Sequence, residues 1–255
     1  MMVAMLLTPL GGQATVFGED DRLRPDAMLD AAEEARYSAT QAIVCQRGNG
    51  PEHVAAGNLA KDFTHGVTIA HLFHQDAKRF VFGAADCVFQ VRDRRGRLLD
   101  RVPFKRLQTL WEDDWHRAPN DLAMFELTRR PEGVDRFLSL DIAPVSAGQE
   151  ILVVAFHYDV APYLSKRKTR GQVFSTLGAR DAGMRNIFNT DADCVPMSSG
   201  GPVYDRSGRL VALMQGESAR GETPRRFDNT REYNAAIRLD LDFLRRYAAF
   251  VASKR

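Results

Sequence analysis

The sequence predicts an all-β protein, a barrel or sandwich architecture closed by one C-terminal helix, on three observations. About a dozen short apolar runs are broken by Gly, Pro, Asp and Asn at regular intervals. No helical segments alternate with them as βαβ units would require, and only the final segment carries a clear helical period. With 255 residues and 44% hydrophobic side chains, the chain can bury a large core.

Taken in order, residues 30–37 are rich in Ala and Glu and read as a short helical or irregular lead-in. Strands are expected at 41–46, 54–59, 66–70, 79–82, 87–92, 101–107 and 122–127. Further strands are expected at 137–140, 150–156, 171–177, 201–204, 210–215 and 233–237. Turn formers such as Arg95-Gly96 and Ser207-Gly208 separate them. Arg129-Arg130-Pro131-Glu132-Gly133 resembles a linker between two halves. At the end, Leu239, Leu241, Phe243, Leu244, Tyr247, Phe250 and Val251 recur at spacings of three and four, so an amphipathic helix is expected over 239–253. Asp240 and Asp242 at its start and Lys254-Arg255 at its end suit the helix dipole.

Composition excludes several classes. Thirty-five basic residues face 33 acidic ones, a net +2, without the basic excess of a dedicated nucleic-acid binder. No apolar run reaches the roughly 18 residues of a membrane-spanning helix. Cys45, Cys87 and Cys194 are odd in number, so at least one thiol has no partner in the chain, and the sequence does not choose among the three possible pairs. No CxxC occurs, and His71 and His74, three apart, have no third ligand pattern beside them, so neither a metal nor another cofactor is expected. The basic run Lys166-Arg167-Lys168-Thr169-Arg170 reads as a solvated loop, with reception of an acidic partner or surface as the alternative, and His65, His74, His116 and His157 as surface or turn residues.

Three segments carry chemistry. In Met197-Ser198-Ser199-Gly200-Gly201-Pro202-Val203 a serine stands on a glycine-rich turn before an apolar strand, an arrangement that presents a nucleophile. In Gly66-Val67-Thr68-Ile69-Ala70-His71 an apolar strand delivers a histidine at its end. In Asn120-Asp121-Leu122-Ala123-Met124-Phe125 an aspartate precedes an alternating strand. Each alone is a common structural element. Their conjunction is what points to nucleophilic catalysis, with 50 residues from His71 to Asp121 and 78 from Asp121 to Ser199.

Together these segments resemble the trypsin/chymotrypsin family of serine peptidases, in its bacterial secreted form, over roughly residues 40–237. The chain order His, Asp, Ser is that family's and differs from the subtilisin and α/β-hydrolase orders. The resemblance implies two six-stranded antiparallel β-barrels of the chymotrypsin-like kind: 38–132 with His71 and Asp121, and 133–238 with Ser199. An N-terminal segment, 15–37, would precede them and the helix, 239–255, would follow.

It further implies a serine endopeptidase acting on protein or peptide substrates, with His71 as general base, Asp121 orienting it and Ser199 as nucleophile. The backbone N–H groups of Met197 and Ser199 would form the oxyanion hole. Asp193, six residues before Ser199, would floor the primary pocket and favour cleavage after Arg or Lys. Gln215, Gly216 and Glu217 would form the pocket wall, with Asn234 behind it. The apolar stretch Met1 to Leu10, followed by Gly12-Gln13-Ala14, is then expected to be a signal peptide (1–14) and the protein secreted or periplasmic. Phe17-Gly18-Glu19-Asp20-Asp21-Arg22 is similar to mature N-termini of that group.

Two departures matter. Ser198 stands where activatable members carry the Asp that pairs with a new N-terminal amine, so that form of zymogen activation is not expected. Met197 replaces a glycine at the oxyanion hole, and its side chain is expected to resist the backbone geometry needed there. Loss of one such donor lowers rate by about 100- to 1,000-fold. The competing readings are therefore a catalytically silent binding module on the same fold, and an esterase using the same triad.

Overall fold

The structure, a computed structural model, describes residues 16–76, 79–110, 120–157, 159–176, 186–195, 197–217 and 233–253. The expected signal peptide and His116 lie outside them. A short helix, α1 (Ala31–Arg36), leads into β1 (Thr40–Cys45), β2 (His53–Leu59) and β3 (His65–Thr68). After a small hairpin of β4 (His74–Asp76) and β5 (Arg79–Phe80) come β6 (Cys87–Arg92), β7 (Leu98–Thr109) and β8 (Ala123–Leu127). The six longer strands close an antiparallel barrel in the order β1-β2-β3-β8-β7-β6. The second barrel comprises β9 (Glu150–Phe156), β10 (Lys166–Thr176), β11 (Ile187–Thr190), β12 (Pro202–Asp205), β13 (Leu210–Glu217) and β14 (Asn234–Ile237). It closes as β10-β11-β14-β13-β12-β9.

Each barrel has its own core. The first is filled by Ile43, Leu59, Phe89, Val102, Phe104 and Phe125, with the Phe104 and Phe125 rings stacked 4.8 Å apart. Cys45 and Cys87 face each other on the paired strands β1 and β6 and form a disulfide, leaving Cys194 as a buried thiol. The second is filled by small and branched residues, among them Ile151, Val153, Val173, Val203, Val211 and Ala212, with Phe188. Ala42 and Ala56 of the first barrel meet Phe156 of the second.

The terminal helix α2 (Leu241–Ala252) is capped by the Asp240 carboxylate, which accepts from the Phe243 N–H at 2.8 Å. Its aromatic face joins both barrels. Phe243, Tyr247 and Phe250 share a cluster with Ala60, Val67 and Met124 of the first and Leu210, Leu213 and Ile237 of the second. The Tyr247 hydroxyl donates to the Ala60 carbonyl at 2.6 Å. No helix among the described residues is long and apolar enough to cross a membrane.

Several expected elements differ. Residues 137–140 form no strand; Leu138 alone makes a parallel bridge with Ala60, because only its side chain is buried there while Phe137 stays exposed. A strand absent from the sequence reading, β11, occupies Ile187–Thr190. The basic run is not a solvated loop but the first half of β10. Lys166, with a fully buried side chain, pairs with Glu34 at 2.6 Å and donates to the Tyr37 carbonyl, and Lys168 pairs with Glu33. Arg167 donates to the Arg22 carbonyl at 2.8 Å. The acidic partner of this run is thus the chain's own N-terminal segment, 135 residues away for Lys168–Glu33. His157 is buried rather than superficial, and burial beside Arg22 and Arg167 holds its imidazole well below its ordinary pKa.

Candidate active site

Strands β3 and β8 are antiparallel neighbours, with Thr68 opposite Ala123, so residues just past the end of one lie beside those just before the other. That register brings His71 to Asp121. The buried Asp121 carboxylate accepts from the His71 backbone N–H through Oδ1 at 2.7 Å and faces His71 Nδ1 through Oδ2 at 2.7 Å. With Nδ1 holding its proton towards the carboxylate, the lone pair on Nε2 is turned to the Ser199 Oγ, 3.2 Å away. The Ser199 hydroxyl also lies 3.1 Å from the Gln215 carbonyl oxygen.

The His71 side chain is part-buried, 39% exposed. Burial alone would press its pKa down. The Asp121 charge and hydrogen bond outweigh that effect and raise it above the ordinary value.

The first barrel supports the nucleophile turn. The Ala56 N–H donates to the Ser199 carbonyl at 2.8 Å, and Asn58 Nδ2 donates to the Gly200 carbonyl at 2.7 Å. Thr40 donates to Asn58 Oδ1 at 2.9 Å, fixing that amide. The Gly200 N–H reaches the Met214 carbonyl at 2.7 Å. Gly200 has φ +81°, and a Cβ there would stand 2.1 Å from the Ala56 carbonyl oxygen, so only glycine fits where the turn crosses between barrels. Asn58 and Thr40 were not singled out from sequence, because a polar residue in a strand carries no motif until its partner across the fold is known.

Met197 does adopt the left-handed backbone expected to favour glycine, with φ +81°, and packs against the Ala42, Ala56 and Phe156 cluster. Neither its N–H nor that of Ser199 has a hydrogen-bond partner among the described residues. Ser198 is buried and closes its own loop, its hydroxyl donating to the Val195 carbonyl at 2.6 Å.

The expected pocket residues divide. Gln215, Gly216 and Glu217 end β13 beside Ser199, but the Gln215 side chain turns to Asp121, donating from Nε2 to Oδ2 at 3.2 Å. Asn234 is buried on β14 and donates to the Ala192 carbonyl at 2.8 Å. Asp193 is not presented as a pocket floor. Its Oδ1 accepts from the Phe17 N–H and its Oδ2 from the Asp21 N–H, both at 2.8 Å, so the N-terminal segment has taken both oxygens. Among the described residues no group of three or more His, Cys, Asp or Glu side chains could hold a metal ion.

The fold has known counterparts. Residues 54–213 match the family model described as a trypsin-like peptidase domain. The solved structure of a Glu endopeptidase in complex with MPD is similar with TM-score 0.65 and 12% identity, over 89% of this chain and 96% of that one. A thermostable serine protease, AL20, from an extremophilic microorganism is similar with TM-score 0.61 and 14% identity, over 87% and 100%. The protease Anisep from Arthrobacter nicotinovorans gives 0.62 and 14%, over 85% and 96%. At these identities the structures speak for the fold alone, and no curated protein matches the chain significantly. The family match spans more than half of the chain, which therefore belongs to the family of proteins with a trypsin-like peptidase domain.

Proposed function

We propose that the protein is a serine endopeptidase in which Ser199, His71 and Asp121 form the catalytic triad. The observation that carries this reading is the continuous path Ser199 Oγ, His71 Nε2, His71 Nδ1, Asp121 Oδ2, with gaps of 3.2 and 2.7 Å. Both lie at or near hydrogen-bond reach for an enzyme without substrate. Ser199 Oγ attacks the scissile carbonyl carbon while its proton passes to His71 Nε2. Asp121 holds the imidazole in the required tautomer and stabilises the imidazolium. The oxyanion faces the unengaged N–H groups of Met197 and Ser199. His71 then gives its proton to the leaving amine, and water releases the acyl group from Ser199 with His71 again as base.

With Asp193 committed to the N-terminal segment, no preference for Arg or Lys is attached to the reading. The Cys45–Cys87 disulfide supports a secreted or periplasmic location, where disulfides persist. A fluorophosphonate probe tests the core of the proposal. Covalent labelling of the folded protein that vanishes in Ser199→Ala is expected; absence of labelling would favour a silent binding module. Labelled protein that turns over esters but no peptide would move the activity to an esterase.

A further inference from the structure

We propose that the hairpin joining β6 to β7 is a docking surface for an anionic phospholipid membrane, independent of the peptidase chemistry. Residues 92–101 contain five arginines and two aspartates, a net +3, against +2 for the whole chain, so the rest of the molecule is close to neutral and slightly acidic. Asp100 is held by Arg129 and Asp93 by Arg97. Arg94, Arg95 and Arg101 are exposed and have no carboxylate partner among the described residues.

Apolar side chains sit among these charges. Leu98 is 50% and Leu99 53% exposed. In a regular strand one of two successive residues would turn inward. Here the register passes from Val91 opposite Asp100 to Arg92 opposite Leu98, so Leu99 is an unpaired bulge and both leucines stand outside. Tyr163, 65% exposed, lies alongside: a Cβ on Gly96 would be 2.3 Å from its carbonyl oxygen. Two of the six large apolar side chains exposed among the described residues stand on this hairpin, and the backbone of a third, Tyr163, runs beside it.

The hairpin is also held by its own hydrogen bonds. Asp93 Oδ1 accepts from the Arg95 and Arg97 N–H groups, each at 2.9 Å, and Arg92 donates to the Gly96 carbonyl at 2.7 Å. Little ordering is then left to be done on binding.

Exposed leucines and a tyrosine flanked by unpaired arginines fit the boundary of a bilayer. The apolar groups enter among the headgroups, and the guanidiniums meet lipid phosphates bidentately. A polyanion such as a sulfated glycan would satisfy the arginines but offer the leucines nothing, which is why lipid is favoured.

The test is sedimentation of the full-length protein with vesicles of phosphatidylcholine, alone or mixed with phosphatidylserine, at low and high salt, alongside heparin-agarose. Binding to the anionic vesicles and not to the neutral ones is expected. Each of Arg94→Gln, Arg95→Gln and Arg101→Gln should weaken it about fivefold. Leu98→Ser with Leu99→Ser should weaken it at both salt concentrations while circular dichroism stays native. Anionic-vesicle binding that the hairpin variants leave unchanged would overturn the proposal, as would no vesicle binding by the folded protein. Retention on heparin without vesicle binding would assign the surface to a polyanion instead.

Discussion

The backbone N–H of Phe17 donates to Oδ1 of Asp193 across 176 residues of sequence, at 2.8 Å. With the matching bond from Asp21 to Oδ2, one side chain fastens the start of the described chain to the loop that leads to Ser199. Arg22 reinforces the docking, pairing with Asp20 at 2.7 Å and Asp159 at 2.9 Å while itself almost fully buried. Asp193→Ala strands two backbone donors, so a stability loss of about 1–3 kcal/mol is expected, with faster amide exchange over residues 16–23. Cleavage after Arg and after Leu should change in parallel. A loss confined to Arg and Lys substrates would restore Asp193 to the primary pocket.

The same carboxylate gives a pH signature. Burial, only partly offset by the two N–H bonds, raises Asp193 to about 6, and the neighbouring Asp20 and Asp21 charges add to the rise. The unfolded chain ionises near its ordinary value of about 4. Between those values the folded protein holds a proton that the unfolded chain has released, so this group's contribution to stability falls as pH rises from about 4 to about 6. Urea unfolding across that window should show the stability of wild type falling relative to that of Asp193→Ala. Parallel curves would mean that Asp193 titrates normally.

As the proposed general base, His71 sets a second pH dependence. A general base must be neutral, and Asp121 raises the His71 pKa, so the acid limb of kcat/KM should lie above the ordinary histidine value of about 6.5. Asp121→Asn removes the charge that raises it and disturbs the tautomer. The limb should then move down, and kcat should fall by roughly four orders of magnitude. A limb that stays in place would take Asp121 out of this role. Gln215→Ala removes the other side-chain donor to Asp121 Oδ2 at 3.2 Å and should lower kcat far less.

Much of this arrangement was legible in the sequence because the informative features were local. An apolar strand ending in His71 and an alternating strand following Asp121 carry the candidate site residues at their ends, and the glycines after Ser199 mark the turn that Ala56 crowds. The aromatic face of α2 followed from patterning of the same kind; strand patterning alone gave a barrel or sandwich, and the two closed barrels were what the family resemblance implied. What was not legible depends on distant partners. Lys166 looked like solvent-facing charge because Glu34 and Tyr37 are far away in sequence. Asp193 lay at a spacing that implied a pocket floor, and nothing near it announced Phe17. Asn58 was silent for the same reason.

The Lys166–Glu34 pair supplies a stability test. The Lys166 side chain is fully buried, and desolvation lowers its pKa despite the opposing pull of Glu34. Glu34→Gln leaves that ammonium without its counter-charge and should destabilise by about 3–5 kcal/mol. Lys166→Met together with Glu34→Gln should recover most of the loss, since an apolar side chain of similar volume often matches a buried ion pair. A double-variant loss equal to the sum of the losses in Glu34→Gln and Lys166→Met alone, measured by urea unfolding, would show that the pair is not coupled.

In the proposed mechanism the Met197 N–H is one of the two oxyanion donors. A left-handed residue with a side chain is strained by about 1–2 kcal/mol relative to glycine, yet Met197 is already at φ +81°. Its packing against Ala42, Ala56 and Phe156 offers the compensation. The strain is therefore met within the folded state, and the Met197 N–H is left unengaged next to that of Ser199. Met197→Gly should relieve the strain but lose the packing and loosen the unfolded chain, so stability should move by no more than about 1 kcal/mol. Because the backbone would not have to change, kcat/KM and the rate of fluorophosphonate labelling should shift by only a few-fold, on the order of 1 kcal/mol in barrier. A gain of about 100-fold or more, the worth of one oxyanion donor, would mean instead that the methionine had been holding the hole shut.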